Sequence, residues 1–182
     1  MSDAMLWFLN RGTGMALLAV LTISVCLGVL ATRGRAGSQV PAFVTRALHR
    51  NLSLFGMALL AGHIVTAVLD EFVDIRWWIA FVPYGSGYEP LWVAAGTVAT
   101  DLFLAVVVTT MVRARLGLSR WHRVHQLAHL AWALGLVHGL AIGTDRREPW
   151  AVGCYLVAVA LVAVAVLARV GSPQPVRQGE PA

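Results

Sequence analysis

The chain has no lysine and little charge of either sign. Charged residues make up 13% of its 182 residues, and all fourteen basic residues are arginines. Soluble domains are typically about 25% charged. Hydrophobic residues account for 58% of the chain, and its mean hydropathy is +0.72. These values exclude an ordinary soluble domain and a disordered chain. The net charge of +5 does not indicate a nucleic-acid partner, because the arginines flank apolar runs.

Cysteines and nucleotide-binding motifs are also scarce. The two cysteines, Cys26 and Cys154, lie inside apolar runs and predict neither a disulfide framework nor a metal motif. No GxGxxG motif is present.

Five membrane-spanning helices of about 20 residues would use about 100 residues. The rest is too short for a separate catalytic domain of about 100–150 residues. We therefore predict a unit that lies almost entirely in the membrane.

What the chain does contain is long apolar runs, which predict an all-α membrane protein with a bundle of five transmembrane helices. The predicted spans are 14–31, 47–69, 91–111, 121–142 and 150–167. Trp77 and Trp78 favour a short interfacial element on the outer surface between the second and third spans. Residues 1–170 are predicted to form one domain, and the proline-rich residues 171–182 a disordered cytoplasmic tail.

The arginines are distributed unevenly between the two sides of this bundle. The loops after the first and third spans contain Arg33, Arg35, Arg46, Arg50, Arg113, Arg115, Arg120 and Arg123. In the other loops, acidic residues balance the arginines. Because positive charge accumulates on the cytoplasmic side, we expect an N-terminus outside and a C-terminus in the cytoplasm. The expected location is the membrane itself, specifically a bacterial inner (plasma) membrane.

All six histidines lie within the predicted spans 47–69 and 121–142, where ionisable residues are costly and indicate function, and four of them form two spaced pairs. His49 and His63 are 14 residues apart, which places them on one helix face with about 21 Å between them. His125 and His138 are 13 residues apart on a span that crosses in the same direction. His125 is therefore level with His49, and His138 with His63. The sequence predicts two facing pairs at two depths.

Two stacked haems, each ligated by two histidines, require this arrangement, since neutral imidazole is a good ligand for haem iron. Zinc usually needs a closer cluster of three or four ligands. The 13-residue spacing leaves His138 about 140° from the face of His125 on an ideal helix. Either the helix is locally overwound, or the two ligands approach from different flanks. His129 could replace His125 as a ligand, donate a hydrogen bond or shuttle protons, and the role of His122 stays open.

For each of several other residues near these depths, the sequence allows two roles. Arg50 and Arg123, with Arg46 and Arg120, lie at the inner level and could pair with haem propionates, or could simply anchor the helices. Asp101 could handle protons, or could be a neutral residue hydrogen-bonded to Thr97 or Thr100. Trp132 could bridge the two haems or serve ordinary packing.

Two segments resemble the ferric reductase-like transmembrane domain family. They are LHRNLSLFGMALLAGH on the second span and WHRVHQLAHLAWALGLVHGLAIGTD on the fourth. That family includes the haem core of NADPH oxidases, eukaryotic ferric reductases and the bacterial MsrQ/YedZ haem subunits. The resemblance covers about residues 7–168. It implies two b-type haems, the inner one held by His49 and His125 and the outer one by His63 and His138.

The resemblance further implies a cytochrome b subunit that carries electrons across the bilayer to an extracytoplasmic acceptor. The flavin and NADPH domain of the longer family members is absent from the sequence, so we expect the electron-transfer subunit of an oxidoreductase. Its expected partners are the lipid bilayer and a flavoprotein or reductase, with quinone or flavin supplied alongside. The alternative is a haem-free helical membrane protein, such as a small transporter or assembly factor, that uses its histidines for proton relay or packing.

Overall fold

The structure is a computed structural model that describes residues 3–31, 41–71, 73 and 75–171. The described residues form helices and connecting turns, without β-strands. Within these residues the structure has seven α-helices: α1 (Asp3–Ala31), α2 (Ala42–Leu69), α3 (Pro90–Met111), α4 (Arg113–Leu116), α5 (Leu118–His125), α6 (Leu127–Ile142) and α7 (Pro149–Gly171). A short 3₁₀ helix, Trp77–Ala80, lies between α2 and α3. The all-α prediction is confirmed.

Proline determines where three of these helices begin. Pro41 precedes the first residue of α2, and Pro90 and Pro149 are the first residues of α3 and α7. Proline suits these positions because the first helical N–H groups have no partner within the helix. The predicted start of α3 is therefore within one residue, whereas α2 begins five residues earlier than predicted.

Four helices, α1, α2, α3 and α7, are long and apolar enough to cross a membrane. The fourth predicted span, 121–142, is divided between α5 and α6. At the division, the His129 N–H bonds to the Gln126 carbonyl three residues earlier, instead of four. Such a 3₁₀-type step turns about 120° per residue rather than 100°. This is local overwinding in the direction that the 13-residue histidine spacing requires.

Helix α1 is longer than the sequence indicates. It begins at Asp3, 11 residues before the predicted span, and so carries Asn10 and Arg11 into the bundle. Helix α7 likewise continues to Gly171, beyond the predicted end at residue 167. The rest of the predicted tail and the loop that holds Arg33 and Arg35 lie outside the described residues.

Packing is centred on α1, which contacts α2, α6 and α7, while α3 packs along α6. In the core, Val25 and Val29 of α1 pack against Ala165 of α7 and Trp132 of α6. The Trp132 indole N–H donates to the Thr22 hydroxyl, 3.0 Å away. Among these described helices, α2 packs extensively only against α1 and lies opposite α5 and α6 across a gap. Histidine side chains point into that gap from both sides.

Candidate functional site

The four histidines form two pairs across the gap between α2 and the α5–α6 segment. The ring centroids of His49 and His125 are 6.1 Å apart, with an interplanar angle of 72°. Those of His63 and His138 are 6.3 Å apart, with an angle of 88°. The structure therefore brings together both combinations that the spacings predict. We call His49 and His125 the inner pair and His63 and His138 the outer pair.

These separations fit two imidazoles that share one metal ion. Metal–imidazole bonds are about 2.0 Å long and the ring nitrogen lies about 1.1 Å from the centroid, so two opposed ligands place their centroids roughly 6.2 Å apart. Within the described residues, no group of three or more His, Cys, Asp or Glu side chains could hold a metal ion. The histidines thus offer two ligands at each level, fewer than a structural zinc site uses.

The outer histidine of α2 is held by α1. The Nδ1 atom of His63 lies 3.0 Å from the carbonyl oxygen of Asn10, and the amide of Asn10 donates in return to the His63 carbonyl. The ring rests on Gly14, where a Cβ atom would lie 3.2 Å from His63 Cε1. Because a carbonyl oxygen can only accept, Nδ1 carries the proton. In the neutral ring, Nε2 then carries no proton, and its lone pair is free to bind a metal ion.

The inner histidine of α2 is also held by a backbone carbonyl and a glycine of α1, 14 residues further along that helix. The Nδ1 atom of His49 lies 2.8 Å from the carbonyl oxygen of Ser24, and the ring rests on Gly28. The Ser24 hydroxyl is also 3.2 Å from Nδ1 and 2.7 Å from the Ser53 hydroxyl. His49 is therefore fixed in the same tautomer as His63, with Nε2 available for a metal ion.

This repetition on α1 is a signal that the sequence contains and that histidine spacing alone misses. Each carbonyl is followed four residues later by the glycine that accommodates the ring, as Asn10 with Gly14 and Ser24 with Gly28. The two units are 14 residues apart, which equals the spacing of His49 and His63 on the antiparallel helix α2. Helix α1 is thus built as a matching support for both ligands.

The outer histidine of α6 has its own support on α3. The Nδ1 atom of His138 lies 2.7 Å from the carbonyl oxygen of Trp92. Gly96, four residues later, lies so close to the ring that a Cβ atom there would be 2.7 Å from Nδ1. The carbonyl and the following glycine thus recur at a third histidine. Both members of the outer pair present Nε2 with the proton on Nδ1.

His125 differs from the other three histidines. Its Nδ1 atom is buried and has no hydrogen-bond partner within the described residues. The ring instead stacks on Trp121, with centroids 4.8 Å apart and an interplanar angle of 29°. The Trp121 indole N–H donates to the Thr110 hydroxyl on α3. Stacking therefore orients His125, and its tautomer is not fixed by a carbonyl.

A cavity of about 290 Å³ lies beside the outer pair. His63 and His138 line it together with Leu60, Phe103 and Trp132, and its walls come from α1, α2, α3, α6 and α7. Ligand sites are typically largely apolar clefts of about 300–1,000 Å³ with a few placed polar groups. The volume is at the lower end of that range, and the lining is of that kind.

The remaining predicted residues are mostly exposed. Arg50 and Arg123 have exposed side chains, and no ion pair involves either among the described residues. His122 and His129 are also exposed, and His129 Nδ1 bonds to the Gln126 carbonyl. Asp101 is half-buried. The hydroxyls of Thr97 and Thr100 bond to backbone carbonyls instead of Asp101, so neither is the partner that the sequence suggested.

Comparison with known proteins gives a family without an assigned activity. The model of the family described as Domain of unknown function (DUF8596) matches residues 5–145, which include both histidine pairs, helices α2 to α6 and all but the first two residues of α1. No curated protein and no solved structure matches the chain.

Proposed function

The chain belongs to the DUF8596 family, and we propose that it is a membrane cytochrome b subunit that carries electrons across the bilayer through two b-type haems, each ligated by two histidines. The observation that carries the proposal is the pairing of four histidines at two depths, with centroid separations that suit one metal ion each. A haem, when bound, would supply one-electron redox chemistry at each pair.

The hydrogen bonds of the rings support ligation over a proton relay. In three of the four histidines, Nδ1 is committed to a backbone carbonyl, as is typical of metal-ligating histidines. Two neutral rings that both carry the proton on Nδ1 cannot hydrogen-bond to each other through Nε2, because neither Nε2 has a proton to donate. A metal cation between the two rings would bind the Nε2 lone pair of each. In the outer pair, both rings have Nδ1 committed to a carbonyl, so the argument applies to both ligands.

The protein's own contribution is to orient the ligands and exclude water. Asn10, Ser24 and Trp92 fix the ring orientations through their carbonyls. Apolar walls around the outer pair keep the site at low polarity, which tunes a bound iron. Trp132 lines the same cavity and is anchored on Thr22, so it stands in the region between the two levels.

We further propose five membrane crossings, with α5 and α6 together forming the fourth. Helix α6 has 16 residues and is about 24 Å long, which is short of a hydrocarbon core of about 30 Å. Adding α5 supplies the missing length. The arginine distribution supports an N-terminus outside, a C-terminus in the cytoplasm and an inner pair near the cytoplasmic face, and we propose a bacterial plasma membrane as the location. Electrons then come from a redox partner, such as a flavoprotein or quinol, and pass to an extracytoplasmic acceptor.

The absorption spectrum of the purified protein, recorded with and without dithionite, tests this proposal. We expect a reduced b-type band and two haems per chain. A protein that expresses and folds but gives no such band would contradict the proposal. That outcome would favour a haem-free membrane protein whose histidines serve proton relay or packing.

Single substitutions at each level then test the pairing. We expect His49→Ala to lose the inner haem and His138→Ala to lose the outer haem, so that each variant retains about one haem per chain, because removing one axial ligand opens the site. His122→Ala and His129→Ala are matched controls on the same helical segment and should retain two. Retention of both haems in His49→Ala and His138→Ala would refute the ligand assignment.

A further inference from the structure

Arg11 is a cation at the edge of the outer cavity that the ligand assignment does not use. Its guanidinium lines the cavity that contains His63 and His138. The Nη2 atom forms an ion pair with Asp145, which follows α6, and the guanidinium carbon lies 4.6 Å above the ring of Trp7. Arg11 adjoins Asn10, whose carbonyl holds the ring of His63. The guanidinium is therefore held by two contacts, the ion pair with Asp145 and the ring of Trp7.

The second terminal nitrogen of this guanidinium, Nη1, is used by neither contact. The Nη1 atom is buried and has no hydrogen-bond partner among the described residues. A buried N–H of a charged group is costly when it lacks an acceptor. Arginine is also the side chain whose donor geometry best matches a carboxylate. Asp145 satisfies one nitrogen only, which leaves the other to donate to a second acceptor.

The other charged residues around the cavity do not offer the same donor. Arg146 is exposed, and its Nη1 atom donates to the Ala141 carbonyl. Asp70 and Asp145 are acidic and would repel a carboxylate. Arg11 is thus the half-buried cation in this lining that retains a donor. An anionic group at the cavity edge would gain from contact with it.

We propose that Arg11 binds a carboxylate of the outer cofactor through Nη1 while Asp145 holds Nη2. This rests on the proposed function, because a b-type haem is the carboxylate-bearing group that the outer pair would ligate. Arg50 and Arg123, the arginines that the sequence suggested for this task, lie at the inner level, so the outer carboxylates need a different cation. Helix α1 begins at Asp3, 11 residues before the predicted span, and therefore includes Arg11, which lines the cavity.

Haem and haem dimethyl ester provide the test, because the ester keeps the ring and iron but lacks the carboxylate charges. Haem-depleted protein in the His49→Ala background, which isolates the outer site, is titrated with each compound. Binding is followed by the low-spin absorption spectrum and by quenching of tryptophan fluorescence. We expect haem to bind about 10–100-fold more tightly than its ester, the range for a charge-assisted hydrogen bond.

Arg11→Gln should reduce this preference to less than about threefold, and Arg11→Lys should keep part of it, because its positive charge remains. Asp145→Asn is the matched control, since it removes the ion pair and leaves the Nη1 donor, and it should retain the preference. Equal binding of haem and ester by the parent protein would overturn the proposal even if Arg11→Gln fails to fold. An unchanged preference in Arg11→Gln would also overturn it. Failure of both compounds to give a low-spin spectrum would instead contradict the proposed function itself.

Discussion

The outer and inner pairs use the same residue type at nearly the same separation, yet they are supported differently. Both outer rings donate to backbone carbonyls, lie against glycines and border a cavity formed by five helices. In the inner pair, only His49 has such support, while His125 is held by stacking on Trp121. The outer pair is thus preorganised on two long helices. The inner pair joins one long helix to the short helix α5.

Ligand identity and ligand support are thus separate properties of a site. A histidine whose Nδ1 is committed to a carbonyl has one tautomer and one orientation, whereas a stacked ring can still rotate about its side-chain bonds. We therefore expect the outer site to depend on steric fit and the inner site on aromatic packing. Substitutions at equivalent positions should separate these two dependences.

The largest effect is expected at Gly96, where a Cβ atom would lie 2.7 Å from Nδ1 of His138. That ring cannot withdraw without losing its bond to the Trp92 carbonyl, so Gly96→Ala should displace it. Overpacking of this kind costs about 1–3 kcal/mol, which corresponds to roughly 5–150-fold weaker binding at the outer site. Haem content per chain and the ligand-field spectrum measure the loss.

Gly28→Ala is the matched inner substitution, and its Cβ atom would meet His49 Cε1 at 3.2 Å. Because this contact is only slightly short, we expect both haems to be retained. Gly12→Ala, where nothing lies within 4 Å, is the control for helix α1. A greater loss in Gly28→Ala than in Gly96→Ala would reverse the proposed difference between the two sites.

An intermediate effect is expected at Trp121, which stacks on His125. Trp121→Leu removes an aromatic contact of about 0.5–1.5 kcal/mol, so the inner site should bind haem about 2–12-fold more weakly. Trp121→Phe keeps a stacking partner and should stay close to the parent protein. Titration of haem-depleted protein in the His138→Ala background measures the inner site alone. Equal behaviour of the two variants would show that stacking does not support His125.

The smallest effect is expected from Ser24→Ala. The hydroxyl of Ser24 lies 3.2 Å from His49 Nδ1, but the carbonyl of the same residue is closer, at 2.8 Å, and the substitution retains it. Loss of the hydroxyl should therefore change inner-site affinity by less than about threefold, below the 10–100-fold typical of a lost supporting partner. The same titration checks this. A tenfold loss would make the hydroxyl the main support of His49.

The sequence predicts the helical class and which histidines face each other, because helical periodicity and equal depth are properties of spacing. It also offers local overwinding as one account of the 13-residue spacing, and the turn at Gln126 has that character. The carbonyl acceptors could not be predicted, because every residue has a carbonyl and only packing selects Asn10, Ser24 and Trp92. Arg11 was missed because it precedes the apolar run that defines the first span. Haem binding itself stays a prediction.

The gap between α2 and the α5–α6 segment has a consequence for how the protein is made. Helix α2 packs extensively against α1 and lies across a gap from α5 and α6, so a haem bound by the paired histidines would give α2 a second connection to the rest of the bundle. Insertion of the proposed cofactor would then complete the bundle. A cell short of haem would then hold the chain as a looser, protease-sensitive form, and the abundance of the protein would follow the supply of its cofactor.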